Sequence, residues 1–388
     1  MSLDALETRS QEARNAAQIK AAQEIFPEAG LTSLADLARL PVLRKDVLHQ
    51  GQVESPPFGN VTARNVSHIF QSPGPIYEPG GTRPDFWRMA RFFRAMGFGP
   101  DDIAQNTFAY HFTPAGMMFE SAARALGIVV FPAGPGQTMQ QAEVAAAIGT
   151  TAYIGTPDYL EAILSKGAEM GLDLSRITKA AVSAGPLFPQ MRAAYEARGI
   201  LCRQCYGTAD AGLIAYESAA SSDGMIVDED VILEIVVPGT GDPVATGEIG
   251  EVLVTVLNPD YPLLRFSTGD LSAVLPGASP CGRTNMRIVG WRGRADQAAK
   301  VKGMFIRPEQ VATLVARHAD VEKARIEVHQ TNGGDQIKVQ LETTATDPAA
   351  FQGSVAEILK LRAEIDLVGI GTLPRDGIVV ADKRPALE

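Results

Sequence analysis

The sequence predicts an α/β fold: a large N-terminal domain with mostly parallel sheets plus a β-rich subdomain, and a small C-terminal α+β domain. Three patterns carry this reading. From about residue 83, helical segments and short apolar strands alternate, which implies a mostly parallel sheet with helices on its faces. From about residue 225, acidic and branched apolar residues alternate between Gly-rich turns, an antiparallel signature. After "GRADQ" the pattern changes to short hairpins and helices, so the domains divide as residues 1–295 and 296–388.

The opening segment, "MSLDALETRSQEARNAAQIKAAQEIF", is amphipathic with acids throughout and reads as a solvated outer helix. "RPDFWRMARFFRAMGF" predicts a helix, because Phe86, Met89, Phe93 and Met96 recur at three- to four-residue spacing. "FESAARALGIVVFPAG" gives a helix, a stop at Gly127 and a buried strand. "AEVAAAIGTTAYIGTP" and "MRAAYEARGILCRQCYG" repeat that unit. "MIVDEDVILEIVVPGTGDPVATGEIGEVLVTVLN" supplies the antiparallel strands. "GWRGRADQAAKVKGMFIRPEQVATLVARHADV" gives a turn, a short hairpin and a helix opened by proline. In "ARIEVHQTNGGDQIKVQLET" two strands flank an "NGG" loop.

At 388 residues with 45% hydrophobic and 21% charged residues, the chain has ordinary globular composition. A net charge of -10 disfavours a sequence-independent grip on nucleic acid. Three cysteines cannot make a disulfide framework and point to a reducing compartment. The N-terminus lacks the apolar core of a signal peptide, and no stretch reaches the roughly 18 apolar residues of a membrane span. A cytoplasmic protein is the expectation.

Several polar turns could carry chemistry. "QCYGTADAG" places Tyr206, Gly207, Thr208 and Asp210 after an apolar strand, and ligands bind at the carboxyl ends of strands in open parallel sheets. A plain strand-ending turn is the competing reading. "LLRFSTGDLS" leaves Asp270 on a turn where it could hold a ribose diol or bond its own backbone. "RGRADQAAKVKG" clusters Arg292, Arg294, Lys300 and Lys302 around Asp296, by default a solvated basic turn.

Together and in this order, these stretches resemble the AMP-forming acyl-CoA synthetase superfamily and, within it, the phenylacetate–CoA ligase family. The resemblance runs nearly end to end through "LARLPVLRKDVL", "FPAGPGQTMQQ", "YIGTPDYLEAIL", "SAGPLFPQMRAAYEARGILCRQCYGTAD", "GEIGEVLVTVLNPDYPLLRFSTGDL" and "CGRTNMRIVGWRGRADQ". It implies an acid–CoA ligase using ATP, Mg2+ and CoA, with AMP as leaving group and a homodimer as the common assembly. Position by position, it places Ala184, Gly185 and Pro186 at the adenine edge and Tyr206 beside the base. Thr208 falls at the α-phosphate, Asp210 where the family has a magnesium-binding glutamate, and Asp270 with Arg294 at the ribose. Asp296 becomes the hinge. Tyr110, His111 and Phe112 line the acyl pocket, with interior packing as the competing reading for His111.

The resemblance breaks at three places. The family's phosphate loop is rich in Ser, Thr and Gly and ends Gly-Lys-Pro. Here "SPGPIYEP" keeps Ser72 and Gly74, but Pro75 and Ile76 replace threonines, Tyr77 a glycine and Glu78 the lysine. An anion there would replace attraction for β- and γ-phosphates by repulsion. The family's C-terminal catalytic lysine follows a glycine, whereas Ile378 follows Gly377 and Lys383 is the nearby substitute. The positions that bind structural zinc in some relatives hold Ser218, Ile226, Ser279 and Cys281, so no zinc is expected. Cys202 and Cys205, three apart on a strand, should point to opposite faces. The losses touch ATP activation, while the AMP-facing positions are kept. An acid–CoA ligase is one reading; the alternative is a degenerate member that binds adenylate or acyl ligand without robust ATP-dependent activation.

Overall fold

The computed structural model describes residues 7–72, 76–185, 187–297, 299–301, 304–331, 334–374 and 378–384. Gly74, Pro75, Pro186, Lys302 and Gly377, singled out above, lie outside them, as do the side chains of Asp296 and Lys300. The chain forms two compact units: Met1–Thr268 with Ala273–Gly290, and Gly269–Ser272 with Trp291–Glu388.

The first unit opens with helices α1 (Gln11–Ile25), α2 (Leu34–Leu37) and α3 (Lys45–Glu54), then an antiparallel hairpin of β1 (Val66–Ser72) and β2 (Ile76–Gly81). The alternating part follows as α4 (Ala90–Ala95), β3 (Ile103–Asn106), α5 (Ala115–Ala125), β4 (Val129–Pro132), α6 (Thr138–Ile148), β5 (Ala152–Gly155), α7 (Pro157–Glu169), β6 (Lys179–Val182), α8 (Pro189–Ala197) and β7 (Leu201–Thr208). Antiparallel strands succeed it: β8 (Gly212–Ser218), β9 (Ser221–Val227), β10 (Val231–Val236), β11 (Gly250–Val256), β12 (Leu263–Ser272), β13 (Val274–Leu275) and β14 (Arg287–Ile288).

Among the described residues these build a nine-stranded sheet in the order β13-β14-β9-β8-β7-β6-β5-β3-β4 and a three-stranded sheet β10-β11-β12. The run from β7 to β4 is parallel and the rest of the large sheet antiparallel. Side chains of the parallel strands divide between two cores with period two. Ile154 and Ala181 join the cluster of Phe92, Phe93, Phe119 and Leu213, while Tyr153, Ala180 and Val182 join Leu160, Tyr195 and Cys202.

One expectation fails in detail. The helix predicted across "RPDFWRMARFFRAMGF" is confined to Ala90–Ala95, although Phe86, Met89, Phe93 and Met96 are all buried as the spacing requires. Asp85 and Arg88 take left-handed φ values of 53° and 67°. They are held there by bonds stronger than helix propensity. The Asp85 carboxylate accepts from the Ala90 N–H, and Arg88 donates to the Ala211 and Leu213 carbonyls and to Asp228 at 3.0 Å. Arg91 completes the network, reaching Asp228 and Asp230 at 2.9 Å each.

In the second unit β15 (Ala299–Val301) pairs with β16 (Met304–Ile306), followed by α9 (Pro308–Arg317), β17 (Val321–Thr331), β18 (Gly334–Thr343), α10 (Ala349–Leu359), β19 (Glu364–Val368) and β20 (Val380–Asp382). Its four-stranded sheet runs β19-β18-β17-β20, with the antiparallel hairpin central and both edges parallel. Val311, Leu314, Phe351 and Val355 of the helices pack on Ile326, Val328, Val339 and Leu341. No helix among the described residues is long and apolar enough to cross a membrane.

Asp228 is buried with two arginines on its carboxylate, so removing its charge takes the carboxylate partner from buried Arg88 and one of three from Arg91. Asp228→Asn is expected to lower the denaturation free energy of the first unit by about 3–5 kcal/mol. The exposed Asp223→Asn is the control in the same denaturant titration and should leave the midpoint nearly unchanged.

Candidate active site

Strand β3 lies between β4 and β5, so the chain winds one way from β3 and the other way to β5. Such a reversal opens a crevice at the carboxyl ends of the strands. The segment leaving β3 there carries Tyr110, His111 and Phe112. The Tyr110 hydroxyl accepts from Asn106 Nδ2 at 2.8 Å, and burial, reinforced by Glu120, pushes its ionisation well above the ordinary range. His111 is exposed, so it is not an interior packing residue. Phe112 is 73% exposed with φ 61°, and its carbonyl accepts from the Gln71 N–H of β1 at 2.8 Å. Tyr110 alone of the three turns inward.

After β6 the chain turns through Ala184, whose φ of 61° is left-handed. Strain of this kind concentrates where a chain presents its backbone to a ligand. At Gly185 an added Cβ would come 3.3 Å from Pro157 Cδ, so the turn hugs the start of α7.

At the end of β7, Tyr206 is buried and its hydroxyl donates to Thr268 Oγ1 at 3.1 Å. Gly207 is required by close approach, because a Cβ would sit 2.6 Å from the Gly212 carbonyl across the β7–β8 hairpin. The Thr208 hydroxyl accepts from the Ala211 N–H at 3.1 Å, which leaves its own proton to donate. Asp210 is buried, with Oδ2 3.1 Å from Lys45 Nζ.

Asp210 belongs to a polar cluster that sequence reasoning only partly saw. Glu78 is 1% exposed on β2, and Tyr261 is buried as well. Burial first, and the Asp210 charge second, push the Glu78 carboxyl up to about 8, against the opposing pull of Ser72 and Lys45. The Ser72 interaction falls short of hydrogen-bond geometry: neither Glu78 oxygen, nor Asp210 Oδ1, nor the Tyr261 hydroxyl has a partner among the described residues. The expectation of an anion aimed at β- and γ-phosphates was read from residue type; here the Glu78 side chain is buried in the cluster. Burial favours the neutral form of the Glu78 carboxyl. The cause is strand register, which turns Ile76 and Glu78 inward and Tyr77 outward. Lys45 and Tyr261 were missed; the signal for Lys45 was the segment "LPVLRKDVL", whose lysine directly precedes an aspartate at a helix start.

The resemblance gives Asp210 a magnesium role, and the residues here do not fit it. One carboxylate oxygen is committed to an ammonium. A dication on the other, about 5 Å from that ammonium, would be repelled by roughly 7 kcal/mol at an effective dielectric near 20. Among the described residues no three or more His, Cys, Asp or Glu side chains form a metal-binding group. No step through magnesium is therefore derived.

The second unit holds the other assigned residues. Asp270 accepts from Trp291 Nε1 at 3.1 Å and lies 3.5 Å from Arg294 Nη1. Gly269 has a φ of 74°, a left-handed conformation that favours glycine, and lies against the Arg294 guanidinium. Asp296 lies in a short 3-10 turn, Ala295–Gln297, and the neighbouring Gln297 side chain accepts from the Val379 N–H at 2.9 Å. Lys383 follows β20, exposed, with its backbone N–H bonded to the Val328 carbonyl.

The cysteines behave as the strand period requires. Cys202 and Cys205 pack into different cores, and burial pushes both thiols up to about 12. Of the positions compared with zinc ligands, Ser218 and Ile226 are buried. Ser279 Oγ lies 3.1 Å from Cys281 Sγ. Burial alone would raise the Cys281 thiol, but bonds from Ser279 and Arg283 outweigh it and hold it below its ordinary value.

The arrangement is an adenylating-enzyme fold. A crystal structure of 2-hydroxyisobutyryl-CoA ligase in the postadenylation state, in complex with 2-HIB-AMP, superposes with a TM-score of 0.82 at 23% identity, covering 97% of this chain and 91% of that one. The anthranilate CoA ligase AuaEII in complex with anthranoyl-AMP gives 0.60 at 18% identity, over 81% and 65%. No protein-family model matches the chain. Among curated proteins, phenylacetate-coenzyme A ligase of Aromatoleum evansii is 30% identical over 338 residues, 83% of this chain and 75% of the relative. That of Pseudomonas putida is 27% identical over 397 residues, 93% and 89%. The chain belongs to the phenylacetate–CoA ligase family, and so to the AMP-forming acid–CoA ligases.

Glu78 supplies a pH test. Its folded-state carboxyl titrates near 8 and its ordinary value is 4.5, so the folded chain binds the extra proton. The associated stability is fully present below about 4.5 and is lost as pH rises through about 8. Glu78→Gln keeps the neutral form, so its melting temperature should match wild type near pH 4 and exceed it at pH 9. The expected gain at pH 9 is at most about 5 kcal/mol, since the carboxyl moves from 4.5 to about 8 and one pKa unit is about 1.4 kcal/mol.

Proposed function

We propose that the chain joins a carboxylic acid to CoA through an acyl-adenylate formed from ATP. The observation that carries this reading is the polar cluster of Tyr206, Thr208 and Asp210 at the carboxyl end of β7. In the first step a carboxylate oxygen of the acid attacks the α-phosphorus of ATP. The bond to the β-phosphate oxygen breaks, and pyrophosphate leaves. In the second step the CoA thiolate attacks the acyl carbon, a thioester forms, and AMP departs with the electrons of the acyl–oxygen bond.

In this reading Thr208 donates its hydroxyl proton to the α-phosphate, whose charge grows as the adenylate forms. Fixed donors aimed at developing charge are among the largest contributions to such steps. Tyr206 borders the base, its ring held by the bond to Thr268, and the Ala184–Gly185 turn borders the adenine edge. Tyr110 presents the acid from the crevice beside β3. The ribose contact of Asp270 and Arg294, the domain division after residue 295 with its hinge at Asp296, and the charge supplied by Lys383 are assignments carried from the resemblance. Cytoplasmic placement and a homodimer belong to the same reading.

A second reading has a specific motive: Glu78 stands where the family keeps a lysine, and Ile378 follows Gly377. With Glu78 neutral, the β- and γ-phosphates would be unsupported rather than repelled. Such a site would hold AMP or an acyl-adenylate at least as well as ATP.

Calorimetry of AMP and ATP, followed by pyrophosphate exchange over aromatic and short acids, separates the two readings. Measurable exchange, lowered about 10²–10³-fold in Lys383→Ala, supports the full ligase. Thr208→Ala should weaken AMP and ATP alike by about tenfold, equivalent to 1.4 kcal/mol. AMP binding without exchange favours the second reading, and no binding of either nucleotide overturns both.

A further inference from the structure

The Lys45–Asp210 pair is placed too deliberately to be an ordinary surface contact. Lys45 is the first residue of α3, where the helix macrodipole disfavours a cation. Two residues earlier Leu43 is fixed by backbone bonds: its N–H donates to the Arg265 carbonyl at 3.0 Å, and its carbonyl accepts from the Ser267 N–H at 2.9 Å. The ammonium lies 5.8 Å from the centroid of the Phe266 ring. Its side chain is 36% exposed, whereas that of Asp210 is 2% exposed. The pair therefore has a buried anionic end and an accessible cationic end. Beyond it stand oxygens with no hydrogen-bond partner among the described residues: Asp210 Oδ1, both oxygens of Glu78 and the Tyr261 hydroxyl.

We infer that Lys45 is the resident counter-ion of Asp210, excludes a divalent metal from it, and meets nucleotide phosphate directly in the metal's place. An ammonium is a compact charge with three donors. One reaches Asp210, and the accessible end can serve phosphate oxygens. Magnesium, in contrast, demands a near-octahedral oxygen shell. Asp210 has a single uncommitted oxygen to give it, on a carboxylate already neutralised by Lys45. The phosphate half of the inference rests on the adenylate-binding reading above; the metal half does not.

The test uses the full-length chain. Manganese is titrated by electron paramagnetic resonance without nucleotide, against wild type, Lys45→Met and Lys45→Met/Asp210→Asn. Lys45→Met should bind at least ~10-fold tighter than wild type, and the double variant should lose that gain. AMP affinity is then measured by calorimetry in magnesium and in EDTA. Wild type should change less than ~2-fold between them, Lys45→Met should weaken ~10-fold in EDTA, and Lys45→Arg should retain most of the affinity. Circular dichroism reports folding, with Lys45→Gln replacing Lys45→Met if the latter does not fold. Asp210-dependent manganese binding by wild type as tight as by Lys45→Met overturns the inference. So does loss of wild-type AMP binding in EDTA with Lys45→Met unaffected. If no variant binds AMP, the adenylate reading fails and the phosphate half of the inference falls with it, while the manganese titration still decides the metal half.

Discussion

Burial of the parallel sheet on both faces is the constraint on which the first unit depends. Strands β3, β5 and β6 are four residues long, and nearly every side chain in them is buried against one of two cores. Such strands leave no room for chemistry along their length. Polar groups must therefore appear where strands end, and Tyr110, Ala184 and Thr208 each stand just past or at such an end. The position of the candidate site follows from packing before any residue in it is considered.

The Asp228 network serves the same constraint from another side. It draws Arg88 and Arg91 across to Asp228, Glu229 and Asp230, joining the turn before α4 to the start of the antiparallel strands. An ion cluster so buried is costly by itself, and here two arginines serve three carboxylates. The backbone strain at Asp85 and Arg88 is the local expense of making those contacts.

Much of the fold was legible because it rests on local periodicity. The alternation from α5 to β7, the antiparallel run through β11, the short β15–β16 hairpin, and the proline opening α9 all match pattern to structure. The helix over residues 83–98 was overread because the apolar spacing was right while the arginines answered to distant partners. The polar turn that carries Tyr206, Thr208 and Asp210 at the end of β7 was legible as chain order and residue type. Glu78 was not, since its meaning depends on which way a strand faces and on a lysine 33 residues earlier. Pairings between distant segments leave no trace in local pattern.

The cysteines carry a practical consequence. With Cys202 and Cys205 near 12, their thiolate fraction at neutral pH is about 10⁻⁵, and thiolate is the reactive form. Cys281 is half-buried and shifted the other way by its neighbours. A thiol-reactive dye or spin label thus meets one receptive sulfur out of three. The unaltered chain provides its own single attachment point, on the first unit, from which distances to the second unit can be followed in solution.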